Sequence, residues 1–229
     1  MNTLNKTNIG IYIISLVLIY LSYTLLLIGI SDIINIRSEK TIIQWETNQK
    51  KISYQNGIMN VKDLEKSIQY SPRNSFSQLL LARVYIQLAK IKNQNKDKHL
   101  KTAEKIIIDA ISKMPTAFET WAYMSIIKSE SFKNQIEFNI AINNAVKLAP
   151  YEDKNQKILI PVIIKKWGAL TKNNKELSKK LLSHALQYTG NAGLVIESAK
   201  KNNRLSEIKK LTTKKWQINR IELYMYEKN

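Results

Sequence analysis

The chain has 229 residues, with 36 Lys and Arg against 18 Asp and Glu and no cysteine. The missing cysteine excludes disulfides, iron–sulfur clusters and thiol catalysis. The formal charge of +18 admits an anionic partner or a compositional bias toward Lys, Ile and Asn, and lysines scattered along helical patterns favour the bias.

Residues 1–8 form a short polar start that holds Lys6. Residues 9–30, from Ile9 to Ile30, read IGIYIISLVLIYLSYTLLLIGI, with no charge and no Pro, Asn or Gln. A helix of that length spans roughly 33 Å, enough to cross a bilayer core. The run is longer than the apolar core of a signal peptide, and Gly29-Ile30-Ser31-Asp32 offers no small-residue cleavage pattern, so an uncleaved anchor is expected. Lys6 before it and Arg37 and Lys40 after it scarcely set a direction. The layout of a short start and a large following domain points to the N-terminus inside and the bulk of the chain outside.

Residues 31–56 continue as a juxtamembrane helix. Ile33, Ile34, Ile36, Ile42, Ile43 and Trp45 approximate one face, and Asn56-Gly57 reads as its stop. Residues 57–208 read as a series of amphipathic helices. Breaks are expected at Ser71-Pro72-Arg73-Asn74, over 92–98, at Met114-Pro115-Thr116, Ala149-Pro150, Lys172-Asn173-Asn174, Thr189-Gly190-Asn191 and Lys201-Asn202-Asn203. No segment alternates with period two for long enough to be a strand. The fold class is therefore all-α.

Three helices end alike, at Pro72, Pro115 and Pro150. The second interval, 35 residues, is close to the 34-residue period of tetratricopeptide repeats, and the first needs an insertion near 93–98. Aligned on the prolines, Ala103, Ile107 and Ala110 match the small and large positions of a second repeat helix. Phe138, Ile142 and Ala145 match less well. Leu81, Ala82 and Tyr85, echoed by Trp121, Met124 and Ser125, sit at first-helix positions. Small residues let paired helices approach, and proline ends the second helix because it cannot continue the hydrogen-bond ladder. A tetratricopeptide-like array of helical hairpins, an α-α superhelix, is the expectation.

Residues 151–229 are less regular and carry 17 basic and 7 acidic side chains. Pro161 should kink the helix of Ile158–Leu170 or mark its first turn. The tail, residues 209–229, is basic, with Trp216, Tyr224 and Tyr226, and reads as a cap or as partly disordered.

The stretches IIQWETNQK, LEKSIQYSPRNS, PTAFETWAYMSIIK and IEFNIAINNAVKLAPYEDKNQ resemble the VpsP family of bacterial exopolysaccharide-biosynthesis proteins. The carrying positions are Trp45, Pro72, Pro115, Trp121, Lys128, Glu137, Phe138, Ala145, Leu148, Pro150 and Glu152. The chain departs from the family at Tyr151, where Trp is frequent. The resemblance implies an inner-membrane, single-pass protein with its domain in the periplasm. It further implies partners among the proteins of polysaccharide synthesis or export, and it carries over no catalytic residue.

Chemistry-bearing constellations are not expected. His99 and His184 are far apart, without the ligands of a metal site, and His99 reads as a surface residue in a polar connection. Six glycines make no phosphate loop, and no carboxylate pair stands out for glycoside chemistry. Trp45, Trp121 and Trp167 read as core rather than as sugar platforms. The expectation is a non-enzymatic scaffold without catalytic, metal or cofactor site. Alternatives are direct binding of an acidic polysaccharide through Lys209, Lys210, Lys214 and Lys215, or assembly of another envelope machine such as a pilus or cytochrome-maturation complex. Nucleic-acid binding is disfavoured, because it would need a cytoplasmic domain.

Overall fold

The computed structural model describes residues 3–47, 49, 51–91, 95–130, 135–212 and 214–226, without the side chains of 3–9, 189 and 224–226. The side chains of Lys6, Tyr224 and Tyr226, and residues 92–94 at the start of the expected break over 92–98, thus lie outside the described residues. Among the described residues the chain is all-helical, and it divides into two compact units, 1–106 and 107–229. The dividing point lies inside helix α4.

The first unit begins with α1, Thr3–Glu46, a single helix of 44 residues. Its early part is long and apolar enough to cross a membrane, and none of that segment is buried within the protein. The hydroxyl of Thr24 donates to the Leu21 carbonyl at 2.8 Å, which satisfies it inside an apolar setting. The helix then continues without a break into the unit's core. No boundary falls at Ile30, because nothing there interrupts the ladder.

Helices α2, Tyr54–Tyr70, and α3, Ser75–Leu88, pack on each other and on the second half of α1. The face of α1 that they cover differs from the apolar one expected. Ile33 and Ile36 are each 69% exposed, whereas Ser31, Asn35, Ser38, Ile42 and Trp45 are buried. The small polar members let the helices approach, and their hydrogen bonds close a ring. Asn35 Nδ2 donates to Ser77 Oγ at 2.9 Å, Ser77 and Ser67 are 3.1 Å apart, and Ser67 donates to Asn35 Oδ1 at 2.9 Å. Ser31 joins Ser67 at 2.8 Å. Every member of such a buried ring is satisfied, so the cost of burying it is met.

One turn further along, Arg83 of α3 is 1% exposed and grips Glu46 of α1 with two bonds, of 3.2 and 2.7 Å, while Glu39 lies 3.8 Å away. Ile42, Trp45, Leu64, Leu80, Val84 and Leu88 complete the core.

The helix stop expected at Asn56-Gly57 is instead the first turn of α2. Ser53 caps that helix by accepting from the Asn56 N–H at 3.2 Å. The turn-forming residues fit there because the side-chain cap satisfies the Asn56 N–H, and the Gly57 N–H already bonds the Ser53 carbonyl at 3.0 Å. Glycine also suits position 57 because a Cβ there would stand 2.4 Å from Leu88 Cδ2, so the buried Leu88 side chain would have to shift.

Helix α4, Lys96–Lys113, contains the boundary between the units. His99 near its start is not a surface residue. It is 7% exposed and lies between Tyr54 and Tyr85, with ring centroids 6.1 and 5.9 Å away. The helix carries it inward, where a polar connection would have left it outside.

The second unit holds α5, Phe118–Ser129, α6, Gln135–Leu148, α7, Asp153–Lys165, and a 3-10 turn at Trp167–Ala169. It continues with α8, Lys172–Ala185, α9, Thr189–Lys201, α10, Leu205–Lys209, and α11, Lys215–Tyr226. α5 packs on α6 and α7, α6 on α8, and α7 on α9. Leu159, Ile160, Ile163, Leu181, Val195 and Ile196 form the centre of its core.

Two expected breaks, Lys172-Asn173-Asn174 and Thr189-Gly190-Asn191, are first turns of helices, the former capped by Thr171. Pro161 stands inside α7 rather than in its first turn. Among its described residues the basic tail is docked. Ile221 and Gln217 are fully buried, and Gln217 Nε2 donates to the Leu186 carbonyl at 2.5 Å.

Two outcomes follow for the first unit. Arg83→Met should cost about 3 kcal/mol, since it strands Glu46 against an apolar core, and Arg83→Met with Glu46→Met should recover part of that loss. Denaturant unfolding of the detergent-solubilised chain checks both. Burial, then the Lys98 charge, lowers the His99 pKa from 6.5. The unfolded chain therefore binds the proton better, and stability should fall as pH drops below 6.5. Melting curves between pH 7.5 and roughly 5 should show this loss, and His99→Phe should reduce it.

Candidate partner-binding groove

The second unit builds a groove of about 380 Å³ where the end of α7, α8 and α10 meet. Ile164, Ile208, Leu211 and Trp167 make its apolar surface, and Lys179, Arg204, Lys210 and Glu207 its charged rim.

Each wall is held by an identifiable device. Asn139 of α6 donates to the Ala169 carbonyl at 2.9 Å, and its Oδ1 accepts from the Thr171 N–H at 2.9 Å and from Asn174 Nδ2 at 2.9 Å. One buried amide thereby clips the Trp167 turn to α6 and α8. On the other side, α9 ends in Asn203 at φ 58, a left-handed residue that asparagine tolerates. The Arg204 N–H returns to the Ala199 carbonyl at 2.9 Å, the bond of a Schellman stop. That stop turns the chain and sets Arg204 on the rim.

Arg204 Nη1 bonds Glu207 at 2.7 Å. Burial raises the Glu207 pKa, but hydrogen bonds from Arg204, Ser206 and its own backbone N–H, with the Arg204 charge, hold it below the usual carboxylate range. The acid is thus ionised and locally compensated; Lys179 on the rim is likewise paired, with Glu176 at 2.7 Å, so the rim's positive character comes mainly from Lys210.

A second feature of the same unit lies at α8 and the start of α9. Tyr151 and Tyr188, 65% and 56% exposed, flank the His184 ring with centroids 4.6 and 4.9 Å away. Gln156 Nε2 meets His184 Nδ1 at 2.9 Å, while Gln156 Oε1 accepts from Asn191, which also donates to Asp153 at 2.9 Å. The Lys157 hydrogen bond first, opposed by burial and aided by Asn191 and the Lys157 charge, lowers the Asp153 pKa. The two tyrosines are therefore presented on a fixed polar base.

Residues singled out in the sequence are scattered by comparison. Trp45 is core in the first unit. Trp121 packs against the second core with its Nε1 donating to the Pro115 carbonyl at 2.8 Å. Only Trp167 lines the groove. Of the four tail lysines, Lys209 pairs with Glu222 at 2.7 Å and Lys214 donates to the Gln187 carbonyl at 2.6 Å, while Lys210 reaches the rim. The conspicuous sequence signal for the groove is the mixture of basic and apolar residues over 204–211. Among the described residues no group of His, Asp or Glu could hold a metal ion. No protein-family model, no curated protein and no solved structure matches this chain.

Gln156→Leu removes partners from Asn191 and His184 at once. It should cost about 1–3 kcal/mol, seen as a lower midpoint in denaturant unfolding.

Proposed function

We propose that the chain is a non-enzymatic, membrane-anchored scaffold that takes part in exopolysaccharide biosynthesis or export, in the manner of the VpsP-like proteins it resembles. The observation that carries the scaffold reading is the passage of α1 from an apolar, unburied segment into the core of a helical unit. Such a helix fixes a partner-holding domain at a membrane surface. The polysaccharide assignment rests on the sequence resemblance.

The second unit supports a tetratricopeptide-like reading. α5, α7 and α9 pack in succession, α6 packs on α8, and the helices before Pro115 and Pro150 stop there. Alternate-helix contacts of this kind are what stacked hairpins produce. The groove then supplies a binding surface with an apolar floor and a cationic rim, suited to an acidic, partly apolar segment of a partner protein. In this reading the N-terminus is cytoplasmic, and the first unit beyond its membrane segment, together with the second unit, lies in the periplasm of a bacterial inner-membrane protein.

A second reading is favoured by Tyr151, Tyr188 and His184. Exposed aromatic rings over a fixed amide and carboxylate base suit a sugar, so the same unit would touch the polysaccharide directly.

Deletion of the gene in the native bacterium should abolish or sharply reduce exopolysaccharide. Full-length chain should restore it, and Lys179→Glu with Lys210→Glu should not, although that variant reaches normal levels. Unchanged polysaccharide on deletion would remove the polysaccharide assignment. A reporter fused after Asn229 that is active only in the cytoplasm would overturn the orientation. Loss of output in Tyr151→Ala with Tyr188→Ala, but not in the lysine variant, would favour direct sugar contact.

A further inference from the structure

Helix α1 carries a second stripe that none of the described residues buries. Opposite the face packed on α2 and α3, Ile33, Ile36 and Ile43 are exposed, and Lys40 stands among them. These four positions succeed one another at intervals of three, four and three residues, the a and d spacing of a heptad. Followed backwards, the same register falls on Gly29, Leu26, Ser22, Ile19, Ser15 and Tyr12.

The residue types along this stripe change where the solvent changes. Outside the apolar segment the d positions are Ile36 and Ile43. Within it they are Ser15, Ser22 and Gly29. In lipid, apolar bulk gives helices no reason to associate, and small residues that admit close approach take over. In water, isoleucine drives association. A Cβ at Gly29 would meet nothing within 4 Å, so the space beside it is open to another helix. Glycine weakens a helix interior relative to alanine, and the close approach of another helix accounts for it.

We propose that α1 is a dimerisation helix, and that a second copy of this chain packs parallel to it along this stripe. Two copies inserted in one membrane by the same anchor run parallel, as the register requires. In a parallel pair, a g residue of one helix faces the e residue of the next heptad on the other. Those positions are Asp32 and Arg37, both exposed and opposite in charge. The later g residues, Glu39 and Glu46, turn to Arg83 instead. Lys40 is the one charged a residue, a type that fixes register in two-stranded coils at some cost in stability. The face packed on α2 and α3 consists of c and f positions, which a coiled coil leaves outside. The dimer therefore displaces nothing, and it stands independently of the polysaccharide assignment.

The chain has no cysteine, so single cysteines report proximity directly. Full-length Ile36→Cys and Ile43→Cys, oxidised in native membranes, should give a disulfide-linked species of twice 26.5 kDa. Lys62→Cys, on the exposed side of α2, should give little. Gly29→Leu should lower the Ile36→Cys crosslink several-fold. Asp32→Arg should lower it as well, and Asp32→Arg with Arg37→Asp should restore it. Equal yields at Lys62→Cys and at the stripe, crosslinking only to a protein of different mass, or indifference to both Gly29→Leu and the charge exchange would each overturn the proposal.

Discussion

A continuous α-helix has no hinge, and that constraint governs the first unit. The ladder of α1 runs through the end of the apolar segment, so whatever fixes its second half also fixes the orientation of its first. The fixing is done by polar groups. Ser31, Asn35, Ser67 and Ser77 bond in a ring, and Arg83 reaches from α3 to Glu46. Apolar packing alone slides and rotates with little directional preference, whereas hydrogen bonds and a two-pronged ion pair specify a register. The ring is also small. Serine hydroxyls leave room for three helices to converge where leucines would hold them apart. Ile42 and Trp45 then supply the apolar burial that offsets the polar core.

The second unit solves a different problem with the same residue type. A chain rich in Asn has many short amides, and helix ends have carbonyls without partners. Asn155 lies fully buried and donates to the Ala145 and Ala149 carbonyls at 2.8 and 2.7 Å, closing the end of α6. Asn139 and Gln217 do comparable work for the Trp167 turn and for α8. Compositional bias toward asparagine therefore becomes structure: amides that a reader of the sequence assigns to loops serve as clips between helices.

This explains what was legible beforehand and what was not. The helix-ending prolines were readable because their effect is local and steric. The packing positions Ala103, Ile107, Ala110, Ile142 and Ala145 were readable because apolar period reports a buried face, and all are buried. The inner face of α1 was not readable by that rule, since its members include Ser31, Asn35 and Ser38, while Ile33 and Ile36 point away. Polar burial depends on partners in α2 and α3 that no local window contains. Asn-Gly, Lys-Asn-Asn and Thr-Gly-Asn were mistaken for breaks because the first turn of a helix tolerates the residues that turns prefer. His99 was misplaced by the same error, a helix start taken for a connection. The groove depends on a left-handed Asn203 and an amide on α6, neither of which a motif announces.

The charge of +18 also changes meaning once placed on the structure. With acids outnumbered two to one, carboxylates find partners readily, as Glu119, Glu130, Glu137 and Glu222 do with Lys154, Lys165, Lys128 and Lys209. The surplus cations cannot all be paired. At physiological salt their fields fade over roughly 8 Å, so the total attracts little at a distance. What counts is where surplus cations share a short perimeter around apolar surface. At the groove Lys210 holds such a position, while Lys179 is paired with Glu176 and the lining acid Glu207 with Arg204. An anion that also buries apolar surface gains there from both effects. A purely polar polyanion gains from the charge alone and loses that gain as salt rises. Under the proposed scaffold reading, an amphipathic acidic segment would therefore match the groove better than a uniformly charged polymer, a preference set by local placement rather than by net charge.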